Sequence, residues 1–398
     1  MPTKEPPFLT KLAWSLPWLA RYPLWRAKET VRRITDKSEK QNLIFIVANH
    51  FEPAWNRTVE GHDLATQILR VKGWHKQARA IGAAIRDYDD TPFRHTNFYP
   101  AEQYHKPLLD QLSEIQSDGL GEVEVHLHHG VDSPDAPENT RRVLEEFRDT
   151  LADEHKCLSR KTISDKPMYS FVHGNWALAN SAGGHCCGVN SEMQILADTG
   201  CYADLTLPAI HSRAQVPRIN AIYECGHSFD QAAPHRSGPD VRVGKRPKLP
   251  ILITGPLTMN WQAHRSGLPI PRFDDGALTA KYEFNLKRLD NWREANIGVR
   301  SRPEWVFIKL YCHGFFDYDQ PFTIGEPIRR FWDKVLSLSD QTNRFTVHFA
   351  TAREAYNMVM AAVDGHGGPP GLYRDYELKQ IMKEAKSLGS SLKLAQVS

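Results

Sequence analysis

Several features are missing from this chain of 398 residues, and each absence narrows what it can be. No apolar run reaches 18 residues, so an ordinary transmembrane helix is not expected. The six cysteines, Cys157, Cys186, Cys187, Cys201, Cys225 and Cys312, include no CxxC pair, which argues against a zinc ribbon. Their irregular spacing suits reduced thiols in the cytoplasm, with the adjacent Cys186 and Cys187 read as loop or packing residues. The net charge of +3 is too small to argue for nucleic acid, and no aromatic-plus-basic RNA signature is present. There is no internal repeat or low-complexity tract. The first residues do not read as a signal peptide, because charge breaks the apolar stretch and no small-residue cleavage site follows.

What the chain does have is 18 histidines and ten tryptophans, on an otherwise ordinary background of 41% hydrophobic and 24% charged residues. Histidine serves metals and proton transfer, and exposed tryptophan suits sugars or membrane interfaces. Three tryptophans, Trp14, Trp18 and Trp25, fall in residues 8–26 beside Lys11, Arg21 and Arg26. Residues 1–40 hold nine Lys/Arg against four Asp/Glu, a local excess of five positive charges. This basic, Trp-rich arm is expected either to touch a membrane surface peripherally or to pack across the domain.

From residue 41 the pattern alternates between strand and helix. Strands are expected at 42–48, 122–128, 168–172, 202–207, 249–254, 305–312 and 345–350. Helices are expected at 62–87, 103–117, 137–155, 190–199, 278–296, 352–363 and 373–387. Such alternation predicts an α/β fold with a parallel sheet covered on both faces. The domain would span 41–351, with a loop-rich insertion at 208–248 and a C-terminal helical extension at 352–398. A long loop of this kind is usually functional.

The segment Gly121-Glu122-Val123-Glu124-Val125-His126-Leu127-His128-His129-Gly130 is the most telling. In a strand, Glu124, His126 and His128 share one face, so two imidazoles two residues apart can grip one divalent metal. The alternative is a pair of surface histidines on an edge strand. In sheets of this type ligands sit at the carboxyl ends of strands. The other expected strands end in Asn49-His50-Phe51-Glu52-Pro53, His173-Gly174-Asn175-Trp176, Asp204-Leu205-Thr206 and His313-Gly314.

In these short motifs, spread over roughly residues 42–350, the chain resembles the polysaccharide deacetylase superfamily, metal-dependent carbohydrate esterases on an irregular (β/α)7 barrel. NHFEP stands in the place of the family's acidic first motif, EVEVHLHHG in that of its two-histidine motif, and WVFIKLYCHG in that of its last. SFVHGNWAL and NSEMQILADTGCYADLTLP resemble the segments between them. The resemblance implies a hydrolase that removes acyl groups, most simply N-acetyl, from a polysaccharide or glycoconjugate. It implies a divalent metal, expected to be zinc, on His126 and His128 together with His50 or Asn49. Glu52 would be the base and a protonated His313 the acid. Glu124 would either orient an imidazole or lie deep in the barrel, and His173, Asn175, Trp176 and Asp204 would face the sugar. The chain departs from the family at Asn49, where an aspartate is expected; His50 or Glu52 would fill that gap. Two other readings stay open. One is a carbohydrate-binding or scaffolding relative with an altered metal site. The other is a glycoside hydrolase on a related barrel, with Asp204, Asp317 and Asp319 available as paired carboxylates.

Overall fold

The computed structural model describes residues 7–382, apart from 37, 39, 57–60, 262, 263, 266, 267, 270, 271 and 283. Its centre is a nine-stranded, mostly parallel sheet. The strands are β1 (Gln41–His50), β2 (His95–Pro100), β3 (Gly121–Leu127), β4 (Tyr169–His173), β5 (Cys201–Asp204), β6 (Ile222–Tyr223), β7 (Ile251–Ile253), β8 (Trp305–His313) and β9 (Phe345–Ala350). They pair in the order β8-β1-β2-β3-β4-β5-β7-β6, and β9 pairs with the first half of β1. Only β6 runs antiparallel to its neighbour. β1 is apolar over Leu43–Ala48 and is buried there, as a strand covered on both faces must be.

Helices cover the sheet. Leu64–Ala84 starts at Asp63, whose carboxylate accepts the Thr66 N–H at 2.7 Å. Its residues Val71, Trp74, Ala78 and Ile81, three or four apart, form the buried stripe. Trp74 packs edge-on against Phe51, just beyond β1, and lies tilted against Phe315, just beyond β8. It thereby fixes the chain as it leaves two strands. Ala352–Val363 carries a capping box formed by Thr351 and Glu354, and every residue in it is buried.

The structure corrects several boundaries. β2, HTNFYP, was not expected: it lacks an apolar alternation and ends in proline, yet all six residues are buried between β1 and β3. The helix expected at 278–296 is only Leu286–Glu294, because Asn285 caps it by accepting the Arg288 N–H. The helix expected at 373–387 is absent over 374–382, and 383–387 lie outside the described residues. There Leu378 N–H is taken by the Asn357 side chain, and Arg353 and Asn357 side chains take the Leu378 carbonyl. Tertiary partners thus replace the helix's own bonds.

The arm forms two helices, Phe8–Leu19 and Tyr22–Thr35. Trp18 is fully buried and Tyr22 nearly so, with Ile219 and Leu257, and Trp18 meets Phe273 at 4.6 Å between ring centres. Asn296 donates to the buried carboxylate of Glu29 at 2.5 Å. The inner face of the arm therefore packs across the domain, while Leu9, Leu16, Leu24 and Ile34 point outward. Among the described residues no helix is long and apolar enough to cross a membrane.

Candidate metal centre

Strand register builds the site. β1 and β8 pair so that His50 stands beside His313, and β2 links β1 to β3, where His126 lies opposite Pro100. All three histidines sit at carboxyl ends of parallel strands. The ring centres of His50 and His313 are 4.4 Å apart, those of His50 and His126 4.8 Å, and those of His126 and His128 4.5 Å. Because β3 is paired on both edges, these are not histidines on an edge strand. Gly174 lies against the His128 ring so closely that a β-carbon there would overlap it.

Hydrogen bonds set which nitrogen each ring offers. His126 Nδ1 donates to the Val172 carbonyl at 2.6 Å, which leaves Nε2 as an acceptor. That Nε2 is buried and makes no hydrogen bond among the described residues, and it faces Glu52 Oε1 at 3.4 Å. His128 Nδ1 bonds Glu102 Oε1 at 2.7 Å, and its Nε2 lies 3.5 Å from the same Glu52 oxygen. A carboxylate or carbonyl behind an imidazole is the usual way to orient a metal ligand. Donor atoms of His50, Glu52 and His126 all lie within 4.8 Å of one another. Donors about 2 Å from one zinc ion stand roughly 3.3 Å apart, so these three residues could hold a divalent ion after small side-chain adjustments.

The electrostatics agree with that role. Burial would raise the Glu52 carboxyl, but His126, His313 and His128 outweigh it and hold it near about 2, fully ionised. Burial first, then His313 and His126, pushes His50 well below the ordinary imidazole range. Burial also lowers His128, yet Glu102 and Glu52 outweigh it and raise its basicity. For His313 burial prevails over the pull of Glu52, so its basicity is lowered. That shift runs opposite to the protonated acid expected from the sequence. Its ring stacks on Phe316 at 4.5 Å, which in turn stacks on Trp55 at 4.1 Å.

The site opens into a cleft of about 550 Å³ lined in part by Glu52, Trp55, Glu102, Gln103, His128 and Asn175. The structure thus brings together His50, Glu52, His126, His128 and His313, and places Asn175 in the adjoining cleft. Four expected residues lie elsewhere. Asn49 alternates to the other side of β1, where it accepts from Gly314 N–H at 2.9 Å and Cys312 Sγ and donates to Asn97 at 3.1 Å. Trp176 packs on Leu207, Ala209 and Val216. Asp204 is buried and accepts from the Thr206 hydroxyl at 2.7 Å, with burial raising it to about 7. His173 is fully buried, its Nε2 3.0 Å from that of His129. Glu124 does not orient an imidazole; it accepts from Ser170 N–H at 2.6 Å and from Tyr202. Burial raises Glu124 to about 8, so it is neutral. Asp317 is exposed and paired with Arg70, and Asp319 accepts from the Thr279 hydroxyl at 2.6 Å. Sequence reasoning missed Glu102 and Trp55. Glu102 follows β2, the strand with no apolar pattern to reveal it. No family model and no curated protein matches this chain.

Proposed function

We propose that the chain is a metal-dependent hydrolase that removes acyl groups, most simply N-acetyl, from a polysaccharide or glycoconjugate. The single observation that carries the metal part is the buried His126 Nε2, without a hydrogen bond and aimed at the ionised Glu52. His50, Glu52, His126 and His128 would hold the ion. A divalent ion there would polarise an acyl carbonyl and make water acidic enough to be a nucleophile at neutral pH.

In this reading Glu52 passes from base to ligand, because its Oε1 stands between two imidazole nitrogens. That releases the acid–base role to His313, an imidazole of lowered basicity beside His50 that would take a proton from water and return it to the departing nitrogen. Glu102 holds His128 in place. Trp55 and Asn175 in the cleft supply the aromatic surface and polar group that a sugar ring needs. The acyl-glycan substrate rests on the resemblance of the motifs, as does closure of the sheet into an irregular barrel. Closure is supported by Gly255, just past β7, where a β-carbon would come 2.7 Å from the Lys309 carbonyl of β8.

The test is zinc content and deacetylation of N-acetylglucosamine oligomers by the full chain, with His126→Ala beside it. The expected result is release of acetate by the wild type and loss of about one metal equivalent and of activity in the variant. Equal metal in both proteins would remove the assignment. Metal loss without any acetate release by the wild type would leave the centre and discard the substrate.

A further inference from the structure

A second cluster of histidines lies deeper, and nothing in the proposed hydrolase uses it. His129 follows the metal-centre histidine His128 directly, yet its ring meets different partners. Its Nε2 stands 3.0 Å from His173 Nε2 and 2.8 Å from Glu192 Oε1. His173 Nε2 is 3.4 Å from the same oxygen, and Cys187 Sγ is 3.6 Å from Glu192 Oε2. Donor atoms of His129, His173, Cys187 and Glu192 all lie within 4.8 Å of one another, and all four residues are buried.

We propose that His129, His173, Cys187 and Glu192 form a closed, structural binding site for one zinc-like divalent ion. Two imidazoles, a thiolate and a carboxylate are ligand types zinc accepts, and four such ligands make a closed tetrahedral site. On binding the ion Cys187 would give up its thiol proton, and the thiolate with the Glu192 carboxylate would balance the two positive charges. Each ligand is also held from behind. His129 Nδ1 bonds Asp135 at 2.9 Å, and Asp135 accepts the Thr140 hydroxyl at 2.8 Å. His173 Nδ1 donates to the Gly174 carbonyl, which leaves its Nε2 lone pair facing the cluster. Ala179 N–H donates to Glu192 Oε2 at 2.5 Å, and Val189 N–H points at Cys187 Sγ at 3.4 Å. These contacts fix the tautomers and orientations a metal site needs.

The backbone gives a second observation. The loop from His173 to Cys187 holds five non-glycine residues at positive φ: Asn175, Trp176, Ala179, Asn180 and Cys186. Such conformations cost of order 1–3 kcal/mol each and persist where the surroundings over-determine them. A metal joining β4, this loop and the helix Glu192–Asp198 to the end of β3 supplies that constraint. Gly130, at φ 63°, lets the turn after His129 lie directly on the Cys187 backbone, where any β-carbon would overlap it.

The competing arrangement is a doubly protonated His129 shared between Asp135, Glu192 and His173, with no metal. The two are separated with full-length protein purified in zinc without chelator. The zinc absorption edge is expected to include one sulfur neighbour near 2.3 Å. Cobalt-exchanged protein is expected to carry a thiolate-to-cobalt charge-transfer band in the near ultraviolet. The band should persist in His126→Ala and Cys186→Ser and vanish in Cys187→Ser, with loss of about one metal equivalent. Persistence in His126→Ala keeps this site distinct from the catalytic reading, so either can fail alone. No sulfur neighbour and no band in the wild type would overturn the site, as would an unchanged band in Cys187→Ser. If Cys187→Ser does not fold, the zinc edge of the wild type still decides between the two arrangements.

Discussion

The two histidine clusters differ in ways that follow from their places in the fold. The group at His50, Glu52 and His126, with His128 beside it, offers nitrogen and oxygen donors and borders a cleft; the His128 side chain is 25% exposed there. The inner cluster adds a thiol, and its His173 and Glu192 side chains are fully buried. Its Glu192 is tied down by the Ala179 N–H, whereas Glu52 faces imidazoles that converge on one of its oxygens. Catalytic zinc sites keep a position open and structural ones close it with protein ligands. In the proposed reading the cleft group would carry the chemistry and the inner one would lend rigidity, although His128 and His129 are neighbours in sequence.

Loss of the inner cluster's buried carboxylate should destabilise the protein most. Glu192→Gln removes a buried charge that two imidazoles and a backbone N–H contact, and should cost about 3–5 kcal/mol of stability. Glu52→Gln, at the cleft, should cost less, about 1–3 kcal/mol, while lowering kcat by roughly 10²-fold or more through weakened metal binding. Denaturant unfolding and acetate release measure the two quantities. Similar stability losses from both substitutions would erase the division of labour.

A middle-sized effect sharpens it. Glu102 and Asp135 stand behind His128 and His129 respectively. Replacing either by its amide should weaken metal binding about 10- to 100-fold at its own centre and leave the other unchanged. Titration of the cobalt forms distinguishes the centres, since only the inner one has a thiolate. Glu102→Gln altering the thiolate band would show that the two are one coupled site.

A third test, read as a slope and not as a single loss, concerns the strand that carries both. Glu124, two residues before His126, is raised by burial to about 8 in the folded chain against an ordinary value of 4.5. Between those values the unfolded chain has lost the proton and the folded chain has kept it. Stability should therefore fall as pH rises through that window, at up to about 1.4 kcal/mol per pH unit. Glu124→Gln should flatten the slope. An unchanged slope of unfolding free energy between pH 5 and 8 would place the titration elsewhere.

Much of the frame was legible in the residues. The apolar runs at 42–48 and 305–312 lie within β1 and β8, and the alternation at 122–128 marks β3 almost to the residue. The motifs HFE, HLHH and CHG supplied His50, Glu52, His126, His128 and His313 because each sits at a strand end, where the period of two and the turn to follow can be read. What stayed hidden had no pattern of its own. β2 is HTNFYP, and with it went Glu102. Asn49 was placed at the metal by position in a motif, but one step of strand alternation carries it to the opposite face. Cys187 looked like a packing residue because its partners come from segments up to 58 positions away, His129 being the farthest (187 − 129).

The residues alone thus marked most local periods, the long apolar strands and the histidines at their ends, but not β2 or the true extent of the helices expected at 278–296 and 373–387. Those follow from side-chain spacing and chain stiffness, which act over a few residues. Only the tertiary structure decided how the histidines divide. The register of β1 against β8 joins His50 to His313, and the order β2-β3-β4 sets Glu102 behind His128 and His173 beside His129. A local pattern carries no information about which distant segment completes a pair, because that choice is made by packing and by hydrogen bonds that form only once the chain has closed on itself.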